Sequence, residues 1–163
     1  MLLGVVSDTH NNIKNVKDII DIFNTEKVDV VVHTGDISKP ETLKEFSDLN
    51  CPMLGVFGNN DRIEKGLIEV CEEFNFDFRA PPFSIKLADR NIAIFHEPDL
   101  IESYVKLNLD LDLILHGHTH RYRKETINKI TYFNPGESAG FIKGKNALGI
   151  IDLKDLNIRR VFF

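Results

Sequence analysis

A chain of 163 residues is long enough for one buried core and short for several, so residues 1–163 are expected to form one domain. A hydrophobic share of 42% with 28% charged residues excludes a disordered or low-complexity polypeptide. The net charge of −5 argues against a broad face for nucleic-acid backbones, although two bound divalent cations would bring the chain close to neutral. Nucleic acid is therefore expected only as a substrate, if at all.

Residues 2–7 form a continuous apolar run, the pattern of a strand buried on both faces. Ile13, Val16, Ile20 and Phe23 follow at 3-4-3 spacing, an amphipathic helix that Asn11 or Asn12 can cap. Residues 28–32 read as a second buried strand. Ser38 and Pro40 open a helix carrying Leu43, Phe46 and Leu49. Residues 52–57 give a third strand, and a third helix is expected from about Asp61 to Phe74, with Leu67, Val70 and Cys71 on its apolar face. This alternation predicts parallel pairing with right-handed crossovers.

The second half is richer in strands. Residues 83–87 and 91–95 read as a hairpin around Asp89-Arg90, a short helix covers 99–107, and residues 111–115 form an apolar strand. Segments near 121–127, 130–133, 146–153 and 157–162 read as antiparallel strands. The expected fold class is α/β, two packed mixed β-sheets flanked by helices.

Cys51 and Cys71 form no CxxC pair and read as reduced, partly buried apolar residues. The opening segment is too short for a signal h-region and lacks a positive n-region. No apolar run approaches the ~20 residues of a membrane span. A cytoplasmic protein without a membrane partner is expected.

Polar residues gather immediately after the strands. The first strand runs into Asp8-Thr9-His10, the second into Gly35-Asp36, and the third into Gly58-Asn59-Asn60-Asp61. Later, Phe95 meets His96, and Leu115 meets His116-Gly117-His118-Thr119-His120. Ligand sites form outside the carboxyl ends of parallel strands, so these segments are expected to converge. Asp8 and His10, like His118 and His120, lie two apart; on extended chain each pair would share a face. Gly35, Gly58 and Gly117 allow sharp turns or close approach.

Imidazoles with carboxylate and amide oxygens suit manganese, iron, cobalt, nickel or zinc better than calcium or magnesium. Without thiolates the set does not match a structural zinc site. Asp8, His10, Asp36, Asn59, His96, His118 and His120 are too many for one centre and fill two if a carboxylate bridges. His33 faces no partner motif and reads as structural.

Asp8-x-His10, Gly35-Asp36, Gly58-Asn59-x-Asp61, His96 and Gly117-His118-x-His120 together resemble the calcineurin-like metallophosphoesterase superfamily, nearest its small single-domain phosphodiesterases of bacteria and archaea. The resemblance implies that Asp8, His10, Asp36 and His120 hold one metal and Asp36, Asn59, His96 and His118 the other, with Asp36 bridging. Manganese or nickel is favoured, with iron, cobalt or zinc also compatible. It further implies in-line attack on phosphorus by a hydroxide shared between metals about 3.5–4 Å apart. His10 and His96 would neutralise charge on the phosphoryl oxygens. Asp61 would orient a histidine or the bridging region, and Asn134 would contribute from a neighbouring loop.

Two positions depart from the family pattern. Asn60 stands where many members have a histidine that assists the leaving group; an amide does not titrate usefully, so slower turnover or a need for good leaving groups is expected. Glu97 replaces a frequent glycine and reads as a solvated residue beside Pro98.

The expected substrate is a small phosphodiester. The alternatives are a phosphomonoesterase or nuclease at the same site, and a non-catalytic scaffold like the retromer subunit of this fold. Arg62, Arg79, Arg121 and Lys143 read as surface charges, leaving few cationic clamps for a dianion. No basic-aromatic stripe offers a track for a nucleic-acid chain. An edge strand or the Val161-Phe162-Phe163 terminus offers a route to homo-oligomers, or these residues pack on the core.

Overall fold

The computed structural model describes all 163 residues. The first half contains β1 (Leu2–Val6), α1 (Ile13–Glu26), β2 (Val30–His33), α2 (Pro40–Glu45), β3 (Met53–Val56), α3 (Leu67–Phe74) and β4 (Asp77–Arg79). The second half contains β5 (Phe83–Leu87), β6 (Arg90–Ile94), α4 (Ile101–Leu107), β7 (Leu113–Leu115), β8 (Arg123–Ile127), β9 (Ile130–Asn134), β10 (Ala147–Asp152) and β11 (Asn157–Phe162).

These strands build the expected α/β architecture of two mixed sheets with flanking helices. One sheet runs β11-β10-β1-β2-β3-β4 and the other β5-β6-β7-β9-β8. β1, β2, β3 and β4 pair in parallel, with α1, α2 and α3 in the connections. In the second sheet β7 lies parallel to both β6 and β9, so the later strands are not uniformly antiparallel. β8 with β9, and β10 with both β1 and β11, do pair antiparallel. The last two strands cross into the first sheet.

Alternation along the strands divides the apolar residues into layers. Leu3, Val5, Val32, Leu54, Ile94, Leu113, Leu115 and Phe133 fill the space between the sheets. Val16, Ile19, Phe23, Leu43 and Phe46 pack with Val6, Val31 and Met53 on the outer face of the first sheet. Ala93, Phe95, Ile114 and Tyr132 meet Ile101 beneath α4. Val161 and Phe163 pack against the helical layer, while Phe162 is exposed. Cys51 and Cys71 are free thiols. No helix is long and apolar enough to cross a membrane.

Local chemistry sets the element ends. Asn12 caps α1 by accepting the Asn15 amide at 3.1 Å. The third helix starts at Leu67 rather than near Asp61, after Gly66 at φ 94°. The reason lies in Asp61. Its buried carboxylate accepts the backbone N–H groups of Asp36 (2.8 Å), Ile37 (2.9 Å), Ser38 (2.7 Å) and Gly58 (2.7 Å). The segment following β3 is therefore a turn that ties two strand ends together. β4, unexpected from the sequence, is three residues long and polar at the sheet edge.

His33, at the end of β2, is structural. Its Nδ1 accepts the Gly35 amide at 3.0 Å, so Nε2 carries the proton and donates to Thr9 Oγ1 at 3.0 Å. Burial pushes its pKa down to about 3, against nearby carboxylates that favour the charged form.

Two predictions follow from these buried groups. His33 is neutral when folded but titrates near its ordinary value when unfolded, so its contribution is complete above that value and declines as pH falls. His116, lowered by burial to about 4, acts in the same direction. The metal-free protein should lose roughly 2–3 kcal/mol through His33 by about pH 4.5. In urea unfolding measured against pH, His33→Gln should flatten this decline, and an unchanged slope would contradict the assignment. Asp61→Asn turns a four-fold amide acceptor into a group that must also donate. It should cost about 2–4 kcal/mol in the same assay.

Candidate metal centre

The segments expected to converge do so at the carboxyl ends of β1, β2, β3, β6 and β7. Asp8, His10 and His120 each offer a ligand atom within 4.8 Å of the others, and so do Asp8, Asp36 and His96. Asn59 Oδ1 lies 3.0 Å from both His96 Nε2 and His118 Nδ1. All seven residues expected to bind metal thus lie in one cluster. Asp8 belongs to both compact groups, whereas the family likeness implies Asp36 as the bridge. Asp36 Oδ1 is 3.3 Å from His96 Nε2, and its Oδ2 is 4.0 Å from His10 Nε2.

The backbone geometry differs from the extended pairs inferred from spacing. Asp8, His10, Asp36, His118 and His120 all have positive φ, between 45° and 65°. Such conformations cost of order 1–3 kcal/mol each and persist only where the surroundings hold them. Asp8-x-His10 converges because the chain turns. His118 and His120 diverge, His118 toward Asn59 and His120 Nε2 to within 3.4 Å of Asp8 Oδ1. Gly58 is required by close approach, since a Cβ there would collide with the backbone and carboxylate of Asp36.

Hydrogen bonds orient each candidate ligand. Ser7 Oγ donates to Asp8 Oδ2, and the His118 N–H approaches both oxygens of Asp8 at 3.2 Å. Asn60 grips Asp36 twice, through its backbone N–H (3.0 Å) and its Nδ2 (2.7 Å). The Thr34 carbonyl accepts from His96 Nδ1 at 2.8 Å, turning Nε2 into the site. Ser38 Oγ lies 3.2 Å from His10 Nδ1, leaving His10 Nε2 buried with no hydrogen-bond partner. A buried imidazole nitrogen oriented by its other nitrogen and facing two carboxylates fits a metal ligand.

The electrostatics agree with that fit. Burial alone would raise the Asp36 carboxyl, but hydrogen bonds from His96 and Asn60 outweigh it and hold the group below the usual carboxylate range. Burial disfavours charge on His96, yet its hydrogen bond and attraction to Asp36 win and raise its pKa. His120 is raised mainly by its hydrogen bond to Asp8. The carboxylates favour positive charge at both histidines, and a bound cation would meet the same field. The donor set of imidazole, carboxylate and amide suits borderline transition metals.

Other expected residues occupy supporting positions. The Asp61 carboxylate bonds backbone N–H groups rather than a histidine, and so acts on the chain around Asp36. Asn134 donates to the Gly117 carbonyl (3.0 Å) and Thr119 Oγ1 (3.2 Å), bracing the His-rich loop. Glu97 is half-buried and paired with Arg62 rather than freely solvated. Three residues not foreseen also matter: Ser7, which bonds its neighbour Asp8; Thr34, whose carbonyl meets His96 from a distant segment; and the buried Glu137, which holds the amide of Gly140 in its own loop.

Comparison with known proteins agrees with this geometry. The family model of the calcineurin-like phosphoesterase superfamily domain matches residues 1–156. The chain is 32% identical to phosphodiesterase MJ0936 of Methanocaldococcus jannaschii, covering 99% of this chain and 98% of that protein. A probable metallophosphoesterase of Methanothermobacter thermautotrophicus is 30% identical, over 83% of this chain and 76% of its own. A solved archaeal phosphodiesterase superposes with a TM-score of 0.90 at 31% identity, with both chains fully covered. Zinc-complexed Vps29 of Entamoeba histolytica shares the fold, with a TM-score of 0.70 at 18% identity over 99% of each chain. The chain belongs to the calcineurin-like phosphoesterase superfamily, as a metal-dependent phosphoric ester hydrolase.

Proposed function

We propose that this protein is a phosphodiesterase that hydrolyses small phosphate diesters with two divalent transition-metal ions, manganese or nickel in preference to iron, cobalt or zinc. The observation that carries the reading is the orphaned His10 Nε2, buried and facing the Asp8–Asp36 carboxylates. The ions, when bound, supply Lewis acidity toward phosphoryl oxygens and lower the pKa of water to near neutrality. Asp8, His10, Asp36 and His120 would hold one ion, and Asp36, Asn59, His96 and His118 the other. Free thiols at Cys51 and Cys71 accord with a cytoplasmic setting.

The chain's own residues favour a diester. Arg62 is neutralised by Glu97, and Arg79 is paired with Asp77 and lies over the Phe83 ring. A monoanionic diester asks for less positive charge than a dianionic monoester. Asn60, held on Asp36 through its amide, orients that carboxylate but has no proton to give a departing alkoxide. The complete ligand set favours catalysis over a scaffold role.

Metal-stripped protein titrated separately with manganese, nickel, zinc and magnesium should recover hydrolysis of bis(p-nitrophenyl) phosphate with a transition metal. The rate should exceed that on p-nitrophenyl phosphate. Asn59→Ala should lower the restored rate at least ~10-fold by weakening metal binding. Folded protein inactive with every metal would return the scaffold reading. Asn60→His should raise the rate on a diester with a poor alkoxide leaving group at least ~10-fold, with a smaller effect on p-nitrophenolate departure. Equal effects on both esters would show that proton donation is not what Asn60 lacks.

A further inference from the structure

Phe141 has a role the metal ligands do not explain. Its ring is 65% exposed, and an isolated exposed phenylalanine by itself would mean little. This ring, however, stacks on His120 at 5.5 Å between centroids and 9° between planes. It also lies 5.0 Å from the His10 ring. One side of Phe141 thus covers two candidate ligands while much of the ring faces solvent at the mouth of the site.

The loop carrying the ring is built to hold it there. Glu137 is buried without a cation, its two oxygens accepting the amides of Gly140 (2.8 Å) and Ile142 (3.1 Å) on either side of Phe141. Asn12 Nδ2 donates to the Ala139 carbonyl (2.7 Å), and Asn15 Nδ2 to that of Ser138 (2.8 Å). The Ser138 N–H donates to the Asp8 carbonyl at 3.2 Å, fastening the loop to the strand end that carries a ligand. Gly140, at φ 81°, makes the turn that presents the ring, a conformation costly for a side-chain-bearing residue. A buried carboxylate and two amide side chains are committed to fixing an apolar ring in water.

We propose that Phe141 is a binding platform for a flat π group, an aryl ring or nucleobase, on one arm of the diester. This assignment of substrate class rests on the phosphodiesterase reading. Offset stacking on one open aromatic face gains modest affinity without demanding a particular ring.

Phenylphosphonate and methylphosphonate, which hydrolysis cannot consume, separate the two ideas when bound by calorimetry to manganese-loaded protein. Wild type should prefer phenylphosphonate by roughly 5- to 10-fold. Phe141→Ala and Phe141→Leu should bring the ratio near unity, and Phe141→Tyr should restore it. Thermal unfolding of each variant checks that the loop change has not disturbed the fold. Retention of the preference in Phe141→Leu would make the residue an apolar shield for the histidines and overturn the proposal. So would a wild-type ratio near unity. Diester hydrolysis tests the underlying reading separately: a clear binding preference without any hydrolysis would overturn the enzyme and leave the platform standing.

Discussion

The carboxylate of Asp61 holds the turns after β2 and β3 against one another through four backbone N–H groups. Hydrogen bonds to a charged acceptor are worth about 1.5–3 kcal/mol each, comparable with the strain of a residue at positive φ. Asp36 and Ser38 both lie in that strained region, at φ 60° and 75°. Their amides are among the four groups bound. The bonds that close the turn thus offset its conformational cost, and the Asp36 side chain is directed as a consequence. Asn60 then fixes both its oxygens, because the same turn brings Asn60 under Asp36.

Charge supplies a second constraint. Asp8 and Asp36 are almost fully buried, where an uncompensated carboxylate is costly by several kcal/mol. The histidines divide according to what they meet. His96 and His120 face carboxylates and are raised, whereas His33 and His116 are dominated by burial and are lowered. His33 is satisfied as a neutral ring, bonded by Thr9 and the Gly35 amide. Of these four, His96 and His120 are placed to meet a cation, so burial and bonding partners separate candidate ligand from structural histidine where residue type cannot.

Much of this was legible because parallel strands give near-continuous apolar runs with polar residues at their ends. Asp8, Asp36, Asn59, His96, His118 and His120 each follow such a run closely. The start of α3 was not legible, since Asp61 resembles an ordinary helix-initiating residue until its long-range amide partners are known. β4 was obscured by brevity and by Asp77 and Arg79 at its ends. The spacing of Asp8 with His10 suggested proximity correctly but extended backbone incorrectly, because positive φ at non-glycine residues leaves no compositional trace. Phe141 acts through His10, and its loop is held by Asn12 and Asn15, all more than a hundred residues away in the chain, while Glu137 acts only on amides within its own loop.

The site also straddles the two sheets. Asp8, Asp36 and Asn59 follow strands of the first sheet, while His96, His118 and His120 follow strands of the second. Their separations therefore depend on packing between the sheets, where Leu3, Val5 and Val32 meet Ile94, Leu115 and Phe133. Bonds such as His96 Nδ1 to the Thr34 carbonyl and the His118 N–H to Asp8 cross that division. Close-packed interiors transmit displacement rather than absorbing it, so ligand geometry and core packing are mechanically linked. The fold can keep its sheets while losing this chemistry if strand-end residues change. The chemistry has no comparable freedom, because candidate ligands divided between two sheets meet only when the core between them is properly packed.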